Sequence, residues 1–192
     1  MKGDLYITGD PEADGLLNTD PLALLIGMLL DQQVPMEWAF GAPPKLKERL
    51  GGEIDAAQIA AMPLEDLEVV FKGPPALHRF PGSMAKRTHQ VCQHLVEHHD
   101  GRAEDLWEQA RDAQDLFQRL TALPGYGKEK AKIFIAMLAK RFGIKPAGWE
   151  EVATPFSDAE RRSIADVESP ETLLEVRAWK KAMKAQGKGK AD

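Results

Sequence analysis

The residues best suited to chemistry lie in a short stretch that combines a glycine turn with lysines. Residues 123–131 read LPGYGKEKA, between an amphipathic segment at 113–120 and an apolar run at 131–142. Two helices joined by a tight turn form a helical hairpin, and Gly125 and Gly127 permit such a turn because they adopt positive φ readily. The second helix then begins with free amide groups beside lysines, which favours the binding of a phosphate. An ordinary connection between two helices of an all-α protein is the alternative interpretation.

A second polar cluster follows a strongly apolar helix. Asp20 and Pro21 provide an N-cap and a first-turn proline, and nearly every residue from 22 to 30 is apolar, which predicts a central, buried helix. The helix ends in residues 29–33, which read LLDQQ. Glutamine side chains at this place can cap the last carbonyls of the helix, or they can serve a partner outside the protein.

Together these motifs resemble a known family. The pattern Leu-Pro-Gly-x-Gly-x-x-x-Ala, after a short helix and before an apolar one, is similar to the helix-hairpin-helix of the HhH-GPD superfamily. Residues 29–33 are similar to the Leu-Leu-Ser-x-Gln of its endonuclease III-like members. That superfamily contains endonuclease III-like and alkyladenine-type DNA glycosylases of base excision repair. The resemblance covers about residues 20–151 and implies an all-α, two-lobed fold that acts on double-stranded DNA.

The resemblance also implies which residues contact DNA. The hairpin would hold backbone phosphates through Leu123, Gly125, Tyr126, Gly127, Lys128 and Lys130. Gln33, with Gln32 as the close alternative, would enter the duplex and fill the gap left by a flipped-out base, because a neutral amide can hydrogen-bond the orphaned partner. The first turn of the helix predicted from Met84 would add contacts from Ser83, its predicted N-cap, Lys86 and Arg87.

The catalytic residues implied by the resemblance are carboxylates. Bifunctional relatives use a lysine in the helix after the hairpin, and Glu129 occupies that position here. We therefore expect base excision without strand cleavage, in which a carboxylate activates water or stabilises an oxocarbenium-like cation. The family places an Asp after the Phe-Gly pair that is Phe142-Gly143 here, which points to Glu150 first and Asp158 second. A surface loop is the alternative interpretation of the segment around Glu150.

Two tryptophans are candidates for stacking a flipped base. Trp149 directly precedes Glu150, and Trp38 follows the glutamine cluster. Aromatic rings of this size can stack on an extruded base. Tryptophans that pack in the core are the alternative.

Composition and charge limit the classes of function. The chain has 192 residues with 43% hydrophobic and 29% charged residues, and its net charge of −5 argues against a generic nucleic-acid binder. The charge is uneven, since residues 121–145 hold six Lys/Arg and one Glu, and six Lys/Arg follow from Arg177 onwards. Such local basic patches can bind phosphates in an acidic protein, with strong salt dependence.

Cysteine and histidine content bears on cofactors. The single cysteine, Cys92, excludes a four-cysteine iron–sulfur cluster, which many endonuclease III-like enzymes carry, and it indicates a reducing compartment. His94 and His98 are spaced as a metal-binding pair, but no third ligand accompanies them, so we expect a solvated face and no metal. We expect no cofactor, a monomer without membrane association, and a cytoplasmic, nucleoid-associated location.

The predicted organisation has four parts. Residues 1–19 form an irregular N-terminal arm, residues 20–151 form the core, residues 152–183 form C-terminal helices that pack back on it, and residues 184–192 form a disordered basic tail. Ser157 and Asp158 are predicted to start a helix that ends at Ala165, and no substantial sheet is expected.

Three functions are compatible with these observations. The first is a monofunctional DNA glycosylase. The second is a non-catalytic DNA-binding relative that keeps the hairpin, and the third is an all-α interaction protein with no role on DNA.

Overall fold

The computed structural model describes residues 1–187 and 189, and this part of the chain folds into helices without a strand. The prediction of an all-α fold is confirmed. The α-helices are α1 Pro11–Thr19, α2 Pro21–Leu30, α3 Met36–Phe40, α4 Ala42–Arg49, α5 Ala56–Ala61, α6 Leu64–Lys72, α7 Pro81–His99, α8 Asp105–Glu108, α9 Ala113–Ala122, α10 Lys128–Arg141, α11 Trp149–Val152 and α12 Pro170–Ala185. A 3₁₀ turn at Ile164–Asp166 precedes α12.

Helix α2 is the centre of the first group of helices. Its N-cap Asp20 accepts hydrogen bonds from the amides of Leu22 and Ala23 at 2.9 and 3.0 Å, and nine of its ten residues are buried. Helices α1, α3, α4 and α7 pack around it. The approach of α3 is close, since a Cβ atom on Gly27 would lie 2.6 Å from the ring of Phe40.

The long helix α7 extends this group towards α5 and α6. One of its faces is buried, through residues that include Val91, Cys92 and Leu95. The helix begins at Pro81 with Phe80 as its N-cap, so the prediction of Ser83 as the cap is wrong. Proline is favoured at the first helical position because its missing N–H would have no partner there.

Helix α10 is the centre of the second group. It packs against α9, α11 and the 3₁₀ turn, and eight of its residues are buried. The ammonium of Lys140 lies 2.6 Å from the Asp166 carboxylate, which also accepts hydrogen bonds from the amides of Arg162 and Ser163. The helix predicted from Ser157 to Ala165 is absent. Only the short turn that begins after Ser163 forms, because Ser163 and Asp166 make its capping box.

The N-terminal arm is more regular than predicted, because residues 11–19 form α1. Asp10 caps this helix, and the buried carboxylate of Asp14 accepts hydrogen bonds from the amides of Ile7, Thr8 and Gly9. The amide of Tyr6 donates to the carbonyl of Val167 at 3.3 Å. The arm therefore lies against the segment that leads into α12.

Helix α12 continues through Ala185 and thus includes the first two residues of the predicted basic tail. Residues 188 and 190–192 of that tail lie outside the described residues. Within the described chain no single helix is long and apolar enough to cross a membrane, although α1 and α2, bent by 113°, pass that test as a pair by length and composition.

Candidate nucleic-acid interface

The turn after α2 gives its two glutamines different roles. Gln33 is exposed and has φ 58°, in the left-handed region. The side chain of Gln32 folds back, because its Nε2 donates to the carbonyl of Leu29 at 2.7 Å and its Oε1 accepts from the guanidinium of Arg87. Gln32 thus caps the helix, whereas Gln33 is presented to solvent.

The glycine hairpin is docked on the same end of α2. The hydroxyl of Tyr126 is buried and donates to the carbonyl of Leu25 at 2.6 Å. Gly125 has φ 86°, and a Cβ atom there would lie 2.8 Å from a methyl group of Leu29. A residue with a side chain at position 125 would therefore be strained by its positive φ and would displace the Leu29 methyl group.

The hairpin lysines point in different directions. The ammonium of Lys130 donates to the carbonyls of Met28 and Leu29 at 2.7 and 2.8 Å and lies 5.7 Å from the centre of the Tyr126 ring. A cation is stabilised at a helix C-terminus, because the carbonyl end of the helix is electronegative. Lys128 is exposed at the start of α10, which has no side-chain N-cap. Phosphate binding, predicted for both lysines, therefore suits Lys128, and Lys130 joins the hairpin to α2.

The first two turns of α7 complete this surface. Ser83 and Lys86 are exposed, and Arg87 reaches Gln32. A cleft of ≈ 250 Å³ separates these turns from the residues that follow α2, and its lining contains Gln32, Gln33, His78, Phe80, Ser83, Met84 and Arg87. The structure thus brings together three groups that lie far apart in the sequence.

Two aromatic residues next to this surface, His78 and Phe80, were not predicted from the sequence. The ring of His78 lies 6.1 Å from that of Phe80 and 6.4 Å from that of Trp38, which was predicted. Trp38 is 39% exposed and Phe80 is 42% exposed. The signal in the sequence is the large aromatic residue placed directly before the helix-starting Pro81.

His78 is buried and uncharged in this arrangement. Its Nδ1 accepts a hydrogen bond from the amide of Phe80 at 3.0 Å, so Nε2 carries the proton and donates to the carbonyl of Gln32 at 3.1 Å. The pKa of His78 is lowered, first because burial disfavours the imidazolium and then because Lys130 and Arg87 are close. The carbonyls of Gln32 and Leu30 oppose that shift. Neutral His78 therefore stabilises the glutamine turn.

The predicted catalytic carboxylates lie apart from the glutamine turn. Glu150 is exposed on α11, which packs against α9 and α10, and its backbone carbonyl accepts from Ser157 Oγ at 2.6 Å. The ammonium of Lys132 donates to the carbonyl of Thr154 at 2.9 Å, so this segment contacts the side of α10 that carries Lys132. Lys130 and Lys132 are about 200° apart around the helix. The α11 segment and the end of α2, which the glutamine turn follows, thus contact different faces of α10.

The remaining predicted residues divide between these two regions. Asp158 is paired with the buried guanidinium of Arg162 at 2.7 Å. Trp149 is partly buried against the core beside Glu150, whereas Trp38 lies near the glutamine turn. Glu129 is exposed on the first turn of α10.

Comparison with known proteins identifies a family. A family model described as the HhH-GPD superfamily base excision DNA repair protein matches residues 26–185. A search of curated proteins found no match. The similar solved structures include a trapped endonuclease III–DNA covalent intermediate in an estranged-adenine complex, with 19% identity, coverage of 86% of this chain and 73% of that chain, and a TM-score of 0.44.

The neutral state of His78 predicts a dependence of stability on pH. Because an unfolded histidine takes up a proton below about pH 6.5 and folded His78 does so only at lower pH, the free energy of unfolding should fall as the pH drops below about 6.5. His94 and His99 contribute in the same direction, since burial also lowers the pKa of each. The variant His78→Gln should lose less thermal stability than the unmodified protein between pH 7 and pH 5. Equal losses in the two proteins, measured as melting temperatures, would show that His78 does not remain neutral.

Proposed function

The chain belongs to the HhH-GPD superfamily of base excision DNA repair proteins, and on this premise we propose that it is a monofunctional DNA glycosylase. In this proposal it hydrolyses the N-glycosidic bond of a damaged or mispaired base in double-stranded DNA. It acts as a monomer on cytoplasmic, nucleoid DNA. The family model supports this proposal because its match spans both the end of α2 and the hairpin.

The observation that carries the proposal is the convergence of the predicted DNA contacts at the end of α2. Exposed Gln33 lies on a turn that is held by Lys130 through the carbonyls of Met28 and Leu29. The open N-terminus of α10 and Lys128 provide donors and positive charge for a backbone phosphate. With the backbone held there, Gln33 is in place to enter the duplex and occupy the position of an extruded base.

The absence of strand cleavage is proposed from the residues of α10. Glu129 stands where bifunctional relatives place their lysine, and a carboxylate cannot form a Schiff base with an aldehyde. Two of the neighbouring amines are engaged elsewhere, Lys130 at the end of α2 and Lys132 at the carbonyl of Thr154. Hydrolysis by water activated at a carboxylate is therefore the proposed chemistry.

Glu150 is the proposed catalytic carboxylate, and Asp158 is the second choice. Glu150 is exposed, and its carboxylate accepts no hydrogen bond from the described residues. The Asp158 carboxylate is instead bound to Arg162, at 2.7 Å. For Glu150 to act, the scissile bond would have to lie past the first turn of α10, on the side that faces α11.

A non-catalytic DNA-binding relative is the second candidate function. The observation that favours it is the placement of Glu150 and the glutamine turn on different faces of α10. In this alternative the hairpin and Gln33 bind distorted DNA, and another enzyme removes the base.

Binding to duplex DNA should separate the roles of Lys128 and Lys130. We expect Lys128→Ala to weaken binding of damaged and undamaged duplexes equally and to reduce the slope of log affinity against log salt by roughly one unit, because phosphate contacts carry no sequence information. The melting temperature of Lys128→Ala should be unchanged.

The substitution Lys130→Met should lower the free energy of unfolding by about 1–3 kcal/mol, because it removes a charged hydrogen-bond donor from two carbonyls. Equal binding by Lys128→Ala and the unmodified protein would remove the hairpin from the interface.

Base excision is tested by incubation with duplexes that each carry a single lesion or mismatch. The expected product is an abasic site that is cleaved only after treatment with alkali, and borohydride should trap no protein–DNA adduct. The variant Glu150→Gln, which removes the charge and keeps the shape, should lose base release and keep its duplex affinity, and Glu151→Gln is the matched control.

Other outcomes would revise the proposal in defined ways. A borohydride-trapped adduct would show that a lysine acts as nucleophile. Full activity in Glu150→Gln would assign the reaction to another carboxylate, with Asp158→Asn as the next variant to measure. Duplex binding without base release from any lesion would support the non-catalytic relative.

A further inference from the structure

The last helix concentrates positive charge in its C-terminal half. The acidic residues of α12, Glu171 and Glu175, lie in its first two turns. They are followed by Arg177, Lys180, Lys181 and Lys184. Arg177, Lys180 and Lys184 share one face, because their spacing is i, i+3 and i+7. Cations in the last turn of a helix stabilise it by interacting with the helix dipole. The cationic face of α12 begins about two turns before Lys184, so the helix dipole does not explain why Arg177 and Lys180 are there.

This face forms one wall of a groove of ≈ 620 Å³, and the turn after α2 forms the other wall. Gln33 is among the lining residues, together with Arg177, Lys180 and Lys184. The guanidinium of Arg177 pairs with the carboxylate of Glu37 on α3, and Arg177 Nε lies 2.8 Å from Glu37 Oε1. This pair holds α12 against the residues that follow the turn, so the lysines are kept close to Gln33.

Gln33 therefore lies between two surfaces that carry positive charge. The groove has three cations on α12 opposite two acids, Asp31 and Glu37, and the smaller cleft at the start of α7 has one cation, Arg87. Gln32 and Gln33 line both this groove and the smaller cleft that contains Ser83 and Arg87, so the turn forms the ridge between them. The chain as a whole has a net charge of −5. Positive charge on both sides of one exposed glutamine is thus a local feature, and it matches the dense negative charge of a nucleic-acid backbone.

We propose that the α12 groove binds the sugar-phosphate backbone of duplex DNA on the side of Gln33 away from the hairpin. The DNA is then held on both sides of the inserted side chain, which supports the duplex where it is bent or opened. This inference rests on the proposed function, since it assigns a second contact surface to the same DNA site.

The affinity test compares two charge reversals of equal size. A duplex with a central tetrahydrofuran abasic analogue serves as the probe. We expect Lys184→Glu to weaken binding by roughly eightfold or more at about 0.1 M salt. The affinity varies with salt concentration to the power of about −0.9 for each phosphate contact, so one contact contributes a factor of about eight at 0.1 M relative to 1 M salt. The matched control is Lys2→Glu, at an exposed residue next to Gly3, which lies against the ring of Phe142 at the far end of α10, about 21 Å from the hairpin. Its effect should stay below about twofold, because 0.1 M salt screens charges over about 10 Å.

A positional test shows where α12 meets the DNA. The variants Lys184→Cys and Lys128→Cys are each labelled with an iron chelate that cleaves nearby DNA. Cys92 should not react, because it is buried and burial raises the pKa of its thiol to about 12. Cleavage from position 184 and from position 128 should fall on opposite sides of the abasic analogue.

The outcomes separate this inference from the proposed function. If Lys184→Glu binds like Lys2→Glu, or if position 184 yields no cleavage, while Lys128→Ala still weakens binding, the α12 groove is not a DNA contact and the proposed function stands. If the unmodified protein binds no duplex, the proposed function fails and this inference fails with it.

Discussion

The carbonyl end of α2 is the constraint on which the interface depends. A helix leaves its last carbonyls without partners inside the helix, and a buried helix must find donors for them elsewhere. Here the donors are the ammonium of Lys130, from the hairpin, and the side-chain amide of Gln32. One turn earlier in α2, the hydroxyl of Tyr126 adds a hydrogen bond to the carbonyl of Leu25. The last carbonyls of α2 therefore gain the Lys130 donor only when the hairpin packs against this helix. The same packing fixes the position of Gln33 relative to the N-terminus of α10.

This arrangement explains how an acidic protein can offer a site for DNA. Positive charge is placed where the helix ends meet, at Lys128 and Arg87 on one side of the turn and along α12 on the other. The long-range field of a molecule with a net charge of −5 does not attract DNA. Affinity must then come from short-range contacts at this surface, and it should be modest and sensitive to salt.

The sequence predicted those parts of the molecule that depend on local signals. Asp20-Pro21 and the glycine turn at 123–131 encode α2 and the hairpin in consecutive residues, and both elements form. Of the two turn glycines, only Gly125 adopts positive φ, because Gly127 is the extended N-cap of α10 with φ −85°. The direction of Lys130 could not be predicted, because its partner Leu29 lies 101 residues away in the chain. The choice between Gln32 and Gln33 likewise depends on Arg87, 55 residues beyond Gln32. Helix α1 carries the same start signal as α2, an Asp N-cap followed by proline, but Gly15 and its short apolar pattern weaken the rest of its local signal. Its packing against α2 and α4 and the contacts of Asp14 involve residues outside the helix, which local patterns do not reveal.

We propose that the end of α2 holds Gln32 inward and presents Gln33 to the DNA. The most direct measurement is the fluorescence of 2-aminopurine placed in a mismatched pair of a duplex, since this base brightens when it leaves the stack. We expect Gln33→Ala to bind the duplex with nearly unchanged affinity and melting temperature but to produce little of the increase in fluorescence seen with the unmodified protein, because no side chain fills the gap. In the matched variant Gln32→Ala the melting temperature should fall. An unchanged fluorescence increase in Gln33→Ala, together with a lowered melting temperature, would show that Gln33 only stabilises the turn and does not enter the duplex.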